Sequence, residues 1–126
     1  MKKDLFEYAI VRVVPFVERE EFINVGVIVF CKPQRFLKMK FEIDEQRLRS
    51  FKVGVDIEEI KQHLYAFCKV CAGGSDSGEI GELPIAERFR WLTASRSTII
   101  QCSKVHPGLC ERAEETLEEL FNTMVR

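Results

Sequence analysis

From residue 88 to residue 103 the chain reads Arg88-Phe89-Arg90-Trp91-Leu92-Thr93-Ala94-Ser95-Arg96-Ser97-Thr98-Ile99-Ile100-Gln101-Cys102-Ser103. Three guanidinium groups, several hydroxyls and an indole are concentrated in this stretch. Arginine forks match the planar geometry of carboxylates and phosphates. Ser95, Ser97, Thr98 and nearby backbone N–H groups would add donors to the same anion. Trp91 would offer a stacking face to a base. The chemistry implied is an anion site, for a nucleotide or a phosphorylated partner. The same residues also fit a solvated helix face and a turn, with the arginines paired to nearby carboxylates. No Walker-type or dinucleotide-type glycine pattern accompanies them.

Arg12 stands inside an apolar run, Tyr8-Ala9-Ile10-Val11-Arg12-Val13-Val14-Pro15. A charge there is costly unless it is paired or reaches a polar cleft. Pairing with Glu18 or Glu21 is the plainer expectation, and a place in a ligand cleft is the other. His106, just before Pro107-Gly108, has the chemistry of a general base, but it is equally suited to hydrogen-bonding its own loop. Cys102 and Ser103 are the nearest nucleophiles in sequence, and sequence proximity carries no triad geometry.

Cys68-x-x-Cys71, with His63 nearby and Cys102, His106 and Cys110 recurring at a spacing of four, supplies the donor types of a zinc site. The helical pattern argues against one. Cys68 and Cys71 fall on an apolar stripe, where free cysteine behaves as a small hydrophobe. They also sit at the C-terminal end of their helix, away from the N-terminal end that favours a thiolate. No metal and no cofactor is expected. Glu18, Glu20 and Glu21 form an acidic run of the kind that is ordinarily solvated.

Four strands and several helices must position these groups. Leu5 to Phe16 reads as a strand, apolar on both faces and therefore interior. Phe6, Tyr8, Ile10, Arg12 and Val14 share one face. Ile23 to Lys32 is a second strand, and Gly26 within it signals a bulge or a close backbone approach. Phe36 to Ile43 alternates cleanly, with Leu37, Met39, Phe41 and Ile43 inward and Lys38, Lys40 and Glu42 outward to water. Short connections predict an antiparallel meander.

Residues 44–51 suit a short helix. Asp56 to Cys71 is a stronger one, opened by Asp56 and Glu59 in a capping-box-like pair. Residues 72–78 read as a flexible loop. Pro84 opens the next helix, with Ile85, Phe89 and Leu92 as its buried stripe. Thr98 to Ser103 reads as a fourth strand beside the first, Pro107-Gly108 as a turn, and Glu111 to Met124 as a final amphipathic helix.

The grouping of strands and helices gives an α+β class. The expectation is a mostly antiparallel four-stranded sheet with helices on one face. The 126 residues amount to one domain, residues 1–126. A net charge of −1 gives the whole chain no pull toward nucleic acid or an anionic membrane. Glu7 and Arg12 interrupt the only stretch that follows a basic start, so no signal peptide is expected. The odd count of five cysteines argues against a disulfide framework. A cytoplasmic location follows as the expectation.

The segment Tyr8 to Pro15, then Glu21-Phe22-Ile23-Asn24-Val25-Gly26-Val27, then Phe89-Arg90-Trp91-Leu92 with Arg96-Ser97-Thr98, Gln101 and Val105-His106-Pro107-Gly108-Leu109, together resemble a bacterial domain-of-unknown-function family, number three-zero-three-seven. The resemblance covers nearly the whole chain. It singles out Arg12, Asn24, Gly26, Arg96, Gln101 and His106 without assigning them roles, and it brings no activity. Members are often encoded beside a protein resembling HipA-type kinases, which implies a protein partner. The family pattern opens the last helix with an acidic residue and proline, where this chain reads Arg112-Ala113.

The leading expectation is a small binding or adaptor module with an anion held near Arg96. The sites are Arg12, Arg88, Arg90, Trp91, Ser95, Arg96, Ser97, Thr98, Gln101 and His106. The alternative is a nucleotide- or nucleic-acid-processing enzyme, which needs Arg12, Arg96 and His106 in one cleft. A homodimer through the first or third strand is a further expectation, if either forms an exposed edge.

Overall fold

The computed structural model describes residues 2–19, 21–51, 54–94, 96 and 98–126. Strands β1 (Asp4–Phe16), β2 (Glu21–Cys31) and β3 (Phe36–Phe41) form an antiparallel meander. β1 and β2 are apolar on both faces because one face is covered by helices and part of the other is covered too. Val11, Val13, Val25, Ile28 and Phe30 enter one core, while Phe6, Val27, Val29 and Cys31 enter another.

Strict alternation along β2 would put Val25 and Ile28 on opposite faces. They share one, because β2 carries a bulge. Val11 lies opposite Gly26 while the next residue, Arg12, lies opposite Asn24, so β2 holds one extra residue there. A Cβ on Gly26 would stand 2.7 Å from the Lys40 carbonyl oxygen and 3.0 Å from the Phe41 Cβ. Bulge and close approach therefore occur together at this glycine.

β4 (Ile100–Cys102) and β5 (His106–Cys110) pair antiparallel with the other edge of β1. The sheet order is β3-β2-β1-β4, with β5 further along β1. The late strand lies beside the first, as its sequence predicts. Pro107-Gly108 is strand rather than turn, with Pro107 opposite Glu7 and Gly108 opposite Phe6. An edge strand tolerates a proline, and the Phe6 ring occupies the place a Gly108 side chain would take, 2.6 Å from an ideal Cβ. Ser103 spans the gap between β4 and β5. Its hydroxyl accepts the Ile10 N–H at 2.8 Å, so that donor stays satisfied where the strand breaks. β1 is paired on both edges, which closes the first strand to dimer formation, whereas β3 is an edge strand.

The helices are α1 (Glu45–Phe51), α2 (Ile57–Ala72), α3 (Gly78–Gly81), α4 (Ile85–Thr93) and α5 (Ala113–Met124). The Asp56 carboxylate caps α2 by accepting the Glu59 N–H at 3.0 Å. Residues 72–78 are not a plain loop: a 3₁₀ turn over Ser75–Ser77 leads into α3. Leu48 of α1, Ile60 and Leu64 of α2, and Phe89 and Leu92 of α4 bury against the first core.

α5 does not join them. Its Ala113 and Leu117 seal the second core, on the opposite face of the sheet. The α+β class and the antiparallel sheet are those read from the sequence, but the described residues form five strands, and helices pack on both faces rather than one. The alternation of β3 explains this. Lys38 and Lys40 point away from the first core and, still partly in water, pair with Glu114 and Glu118 of α5. α5 starts at Arg112-Ala113 with no cap from its own sequence. Gln34 supplies one, its Oε1 accepting the Ala113 N–H at 2.9 Å while its Nε2 donates to the Glu111 carbonyl at 2.9 Å. No described helix is long and apolar enough to cross a membrane.

Candidate functional site

The arginines of residues 88–103 go to separate destinations. Arg88 donates through Nη1 to the carbonyls of Val70 and Cys71, at 2.9 and 2.7 Å, and through Nε to Leu83 at 3.0 Å. It closes the C-terminal end of α2, where carbonyls lack helical partners and a cation is favoured. Arg96 does the same for α4, donating to the carbonyls of Leu92 at 2.8 Å and Trp91 at 2.6 Å. Its guanidinium lies 4.6 Å from the Trp91 ring centre and 5.3 Å from that of Phe67. Arg90 binds both oxygens of Glu7 at 3.0 Å.

The Thr98 hydroxyl donates to the Ile100 carbonyl at 2.7 Å, and Gln101 donates to the Thr98 carbonyl at 2.9 Å. Trp91, Arg96 and Thr98 do share a hollow of about 220 Å³ with His63 and Phe67, but Arg88 and Arg90 are not on its wall. Ser95 and Ser97 lie outside the described residues. The three arginines thus serve as two helix caps and one ion pair, and they do not converge on an anion.

Arg12 differs. It lies across from Asn24 on β2 and Gln101 on β4. Its guanidinium carbon stands 4.0 Å from the Phe22 ring centre, a cation–π contact. Its Nε is buried with no hydrogen-bond partner among the described residues. The expected pairing with Glu18 or Glu21 is not made, and Glu21 binds Arg19 at 2.7 Å. Arg88 and Arg96 are also half-buried, but they spend their N–H groups on carbonyls. Among the described residues Arg12 has no acceptor. Asn24 donates to the Met124 carbonyl at the end of α5, at 3.1 Å, while its Oδ1 is buried and has no partner among the described residues.

α5 packs on β2 and β3 and leaves part of the same sheet face outside the cluster it seals. Ile10, Arg12 and Gln101, with Phe22 at 43% exposure, lie on this uncovered part. His106 is there too, its ring centre 5.3 Å from that of Tyr8. It pairs four residues of β1 away from Arg12, about 13 Å at the usual strand rise. Arg96 packs against α2 and α4 on the opposite face. The sheet therefore separates Arg96 from Arg12 and His106, and the cleft that the enzyme reading needs is not formed by these three.

Sequence reasoning missed Phe22. Simple alternation along β2 gives no hint of its role. Placing the Gly26 bulge between β1 and β2 puts Phe22 and Asn24 on the face of Arg12.

Burial raises the thiols of Cys68, Cys71, Cys102 and Cys110 above their ordinary value. Cys71 is pushed up to about 12, chiefly by burial, and Cys102 to about 11 by burial, with Arg96 and then Arg12 pulling it back. Cys68 and Cys71 pack with the first core and Cys110 with the second. Among the described residues, no three His, Cys, Asp or Glu side chains gather in a way that could hold a metal ion.

Comparison with known proteins finds that the family model described as "Protein of unknown function (DUF3037)" matches residues 8–125. No curated protein and no solved structure matches.

Proposed function

The chain belongs to the DUF3037 family of proteins of unknown function, and we propose that it works as a small binding or adaptor module whose anchor is Arg12. The site takes an anionic group on the terminal N–H groups of that guanidinium. One observation carries the reading. A buried guanidinium N–H is costly to leave without an acceptor, and the Arg12 Nε is buried with none among the described residues. The stacked Phe22 ring holds the fork in place without using up its hydrogen bonds.

This moves the anion site from Arg96, whose N–H groups are largely spent on carbonyls, to the other face of the sheet. The test is a titration of ¹⁵N-labelled protein with inorganic phosphate and with acetate, following the Arg12 Nε–Hε resonance. A saturable shift at Arg12, and none at the capping Arg88, is the expected result. Silence at Arg12 with both anions would end the reading.

A further inference from the structure

We infer that the anion received by Arg12 is a carboxylate side chain of a protein partner, which docks on the uncovered half of the sheet beside α5. The inference rests on the Arg12 reading above and names its ligand.

The shape of the place argues first. Of the cavities of about 550 and 680 Å³, the first is lined by Asn24, Glu42 and Arg126 and the second by Tyr65, Ile80 and Trp91. Arg12 is on the wall of neither. It stands on an open sheet face, flanked by exposed Phe22 and half-buried Ile10. A small inorganic anion would leave that apolar surface wet. Enclosed pockets suit small ligands, whereas open faces with an apolar centre and a polar edge suit proteins. The polar edge is present: Gln101 and His106 on the outer side, and the end of α5 on the inner.

Charge argues second. On the α5 side Lys38, Lys40 and Arg126 are already matched to Glu114, Glu118 and Glu42. Arg12 is the half-buried cation of that face without a counter-charge among the described residues. One planar fork matches one carboxylate. A partner bearing an aspartate or glutamate beside an apolar residue would neutralise Arg12 and cover Phe22 in a single contact. A desolvated arginine anchor beside an aromatic ring is the usual make-up of a binding hot spot.

The experiment is selection of a displayed random-peptide library on the intact chain. Amide-shift mapping and affinity measurement of the selected peptides then follow. Enriched peptides should carry Asp or Glu, shift Ile10, Phe22 and Gln101, and lose at least about tenfold in affinity on Arg12→Gln. Phe22→Ala should weaken them too, with the protein still folded and only a small drop in its thermal unfolding midpoint from the lost Arg12 contact. Peptides without an acidic residue, full affinity for Arg12→Gln, or mapping to the Tyr65–Trp91 side would overturn the inference. If phosphate or acetate still shifts Arg12 but no acidic peptide is selected, this inference alone fails. If nothing shifts Arg12, the anion site fails with it.

Discussion

Arg12 and Asn24 face each other across the β1–β2 ladder, and each holds a buried polar atom with no partner among the described residues, a donor on Arg12 and an acceptor on Asn24. Such atoms cost roughly 1–3 kcal/mol each. Replacing Arg12 by methionine should therefore leave the unfolding free energy within about 1 kcal/mol of wild type. The lost Phe22 contact, about 0.5–1 kcal/mol, is offset by removing an unsatisfied donor. Urea unfolding decides it, and a loss near 3 kcal/mol would show that Arg12 holds the fold rather than a ligand.

Gly26 is a backbone requirement. Its missing side chain makes room for the Lys40 carbonyl, 2.7 Å from an ideal Cβ. Backbone cannot swing aside as a side-chain tip can. Gly26→Ala should push β3 away from the bulge and cost about 1–3 kcal/mol. It should also blur the register that sets Asn24 opposite Arg12. The check is the unfolding midpoint together with the Arg12 Nε–Hε shift. An alanine variant with unchanged stability and spectrum would contradict the close approach.

The class, the meander, the late strand beside β1 and the bulge at Gly26 were legible because each follows from local pattern: alternation, turn residues, a glycine in a strand. β5 was not, since Pro107-Gly108 has turn chemistry and only the ring of Phe6 and a free edge make it strand. The position of α5 was hidden for a related reason. The lysines of β3 look like a wet face until Glu114 and Glu118 are brought to them from a distant part of the chain. At the site, residue type was a poor guide. Arg88, Arg90 and Arg96 stand out by composition, yet two of them find helix ends and one finds Glu7. Arg12 was visible as an oddity, but the absence of a partner for its Nε among the described residues is a three-dimensional fact.

The two helix-face arginines, Arg88 and Arg90, should separate sharply on mutation. Arg88→Met strips the carbonyls of Val70 and Cys71 of their donor in a half-buried place. The expected cost is about 1.5–3 kcal/mol, the range of bonds to a charged group. Arg90→Met breaks an ion pair in which Arg90 is 58% exposed, so the expected cost is under about 1 kcal/mol. Thermal unfolding of the two variants side by side tests the assignment, and equal losses would refute it.

Alkaline pH should expose the buried thiols. Unfolded cysteine ionises near its ordinary value of 9.0, whereas folding holds Cys71 up to about 12 and Cys102 up to about 11. Below pH 9 both states keep the proton and the contribution is fully present. Above it the unfolded chain releases protons that the native chain retains, so stability falls as pH rises, by up to about 1.4 kcal/mol per pH unit for each thiol. The decline belongs between pH 9 and the folded values, ending earlier for Cys102 than for Cys71. Replacing Cys71 by valine, similar in size and without a proton to lose, should flatten the slope of unfolding free energy against pH from 9 to 11. Native protein should also react with a thiol reagent at Cys71 and Cys102 far more slowly than unfolded protein at pH 8. An unchanged slope in the valine variant would show that Cys71 ionises alike in both states.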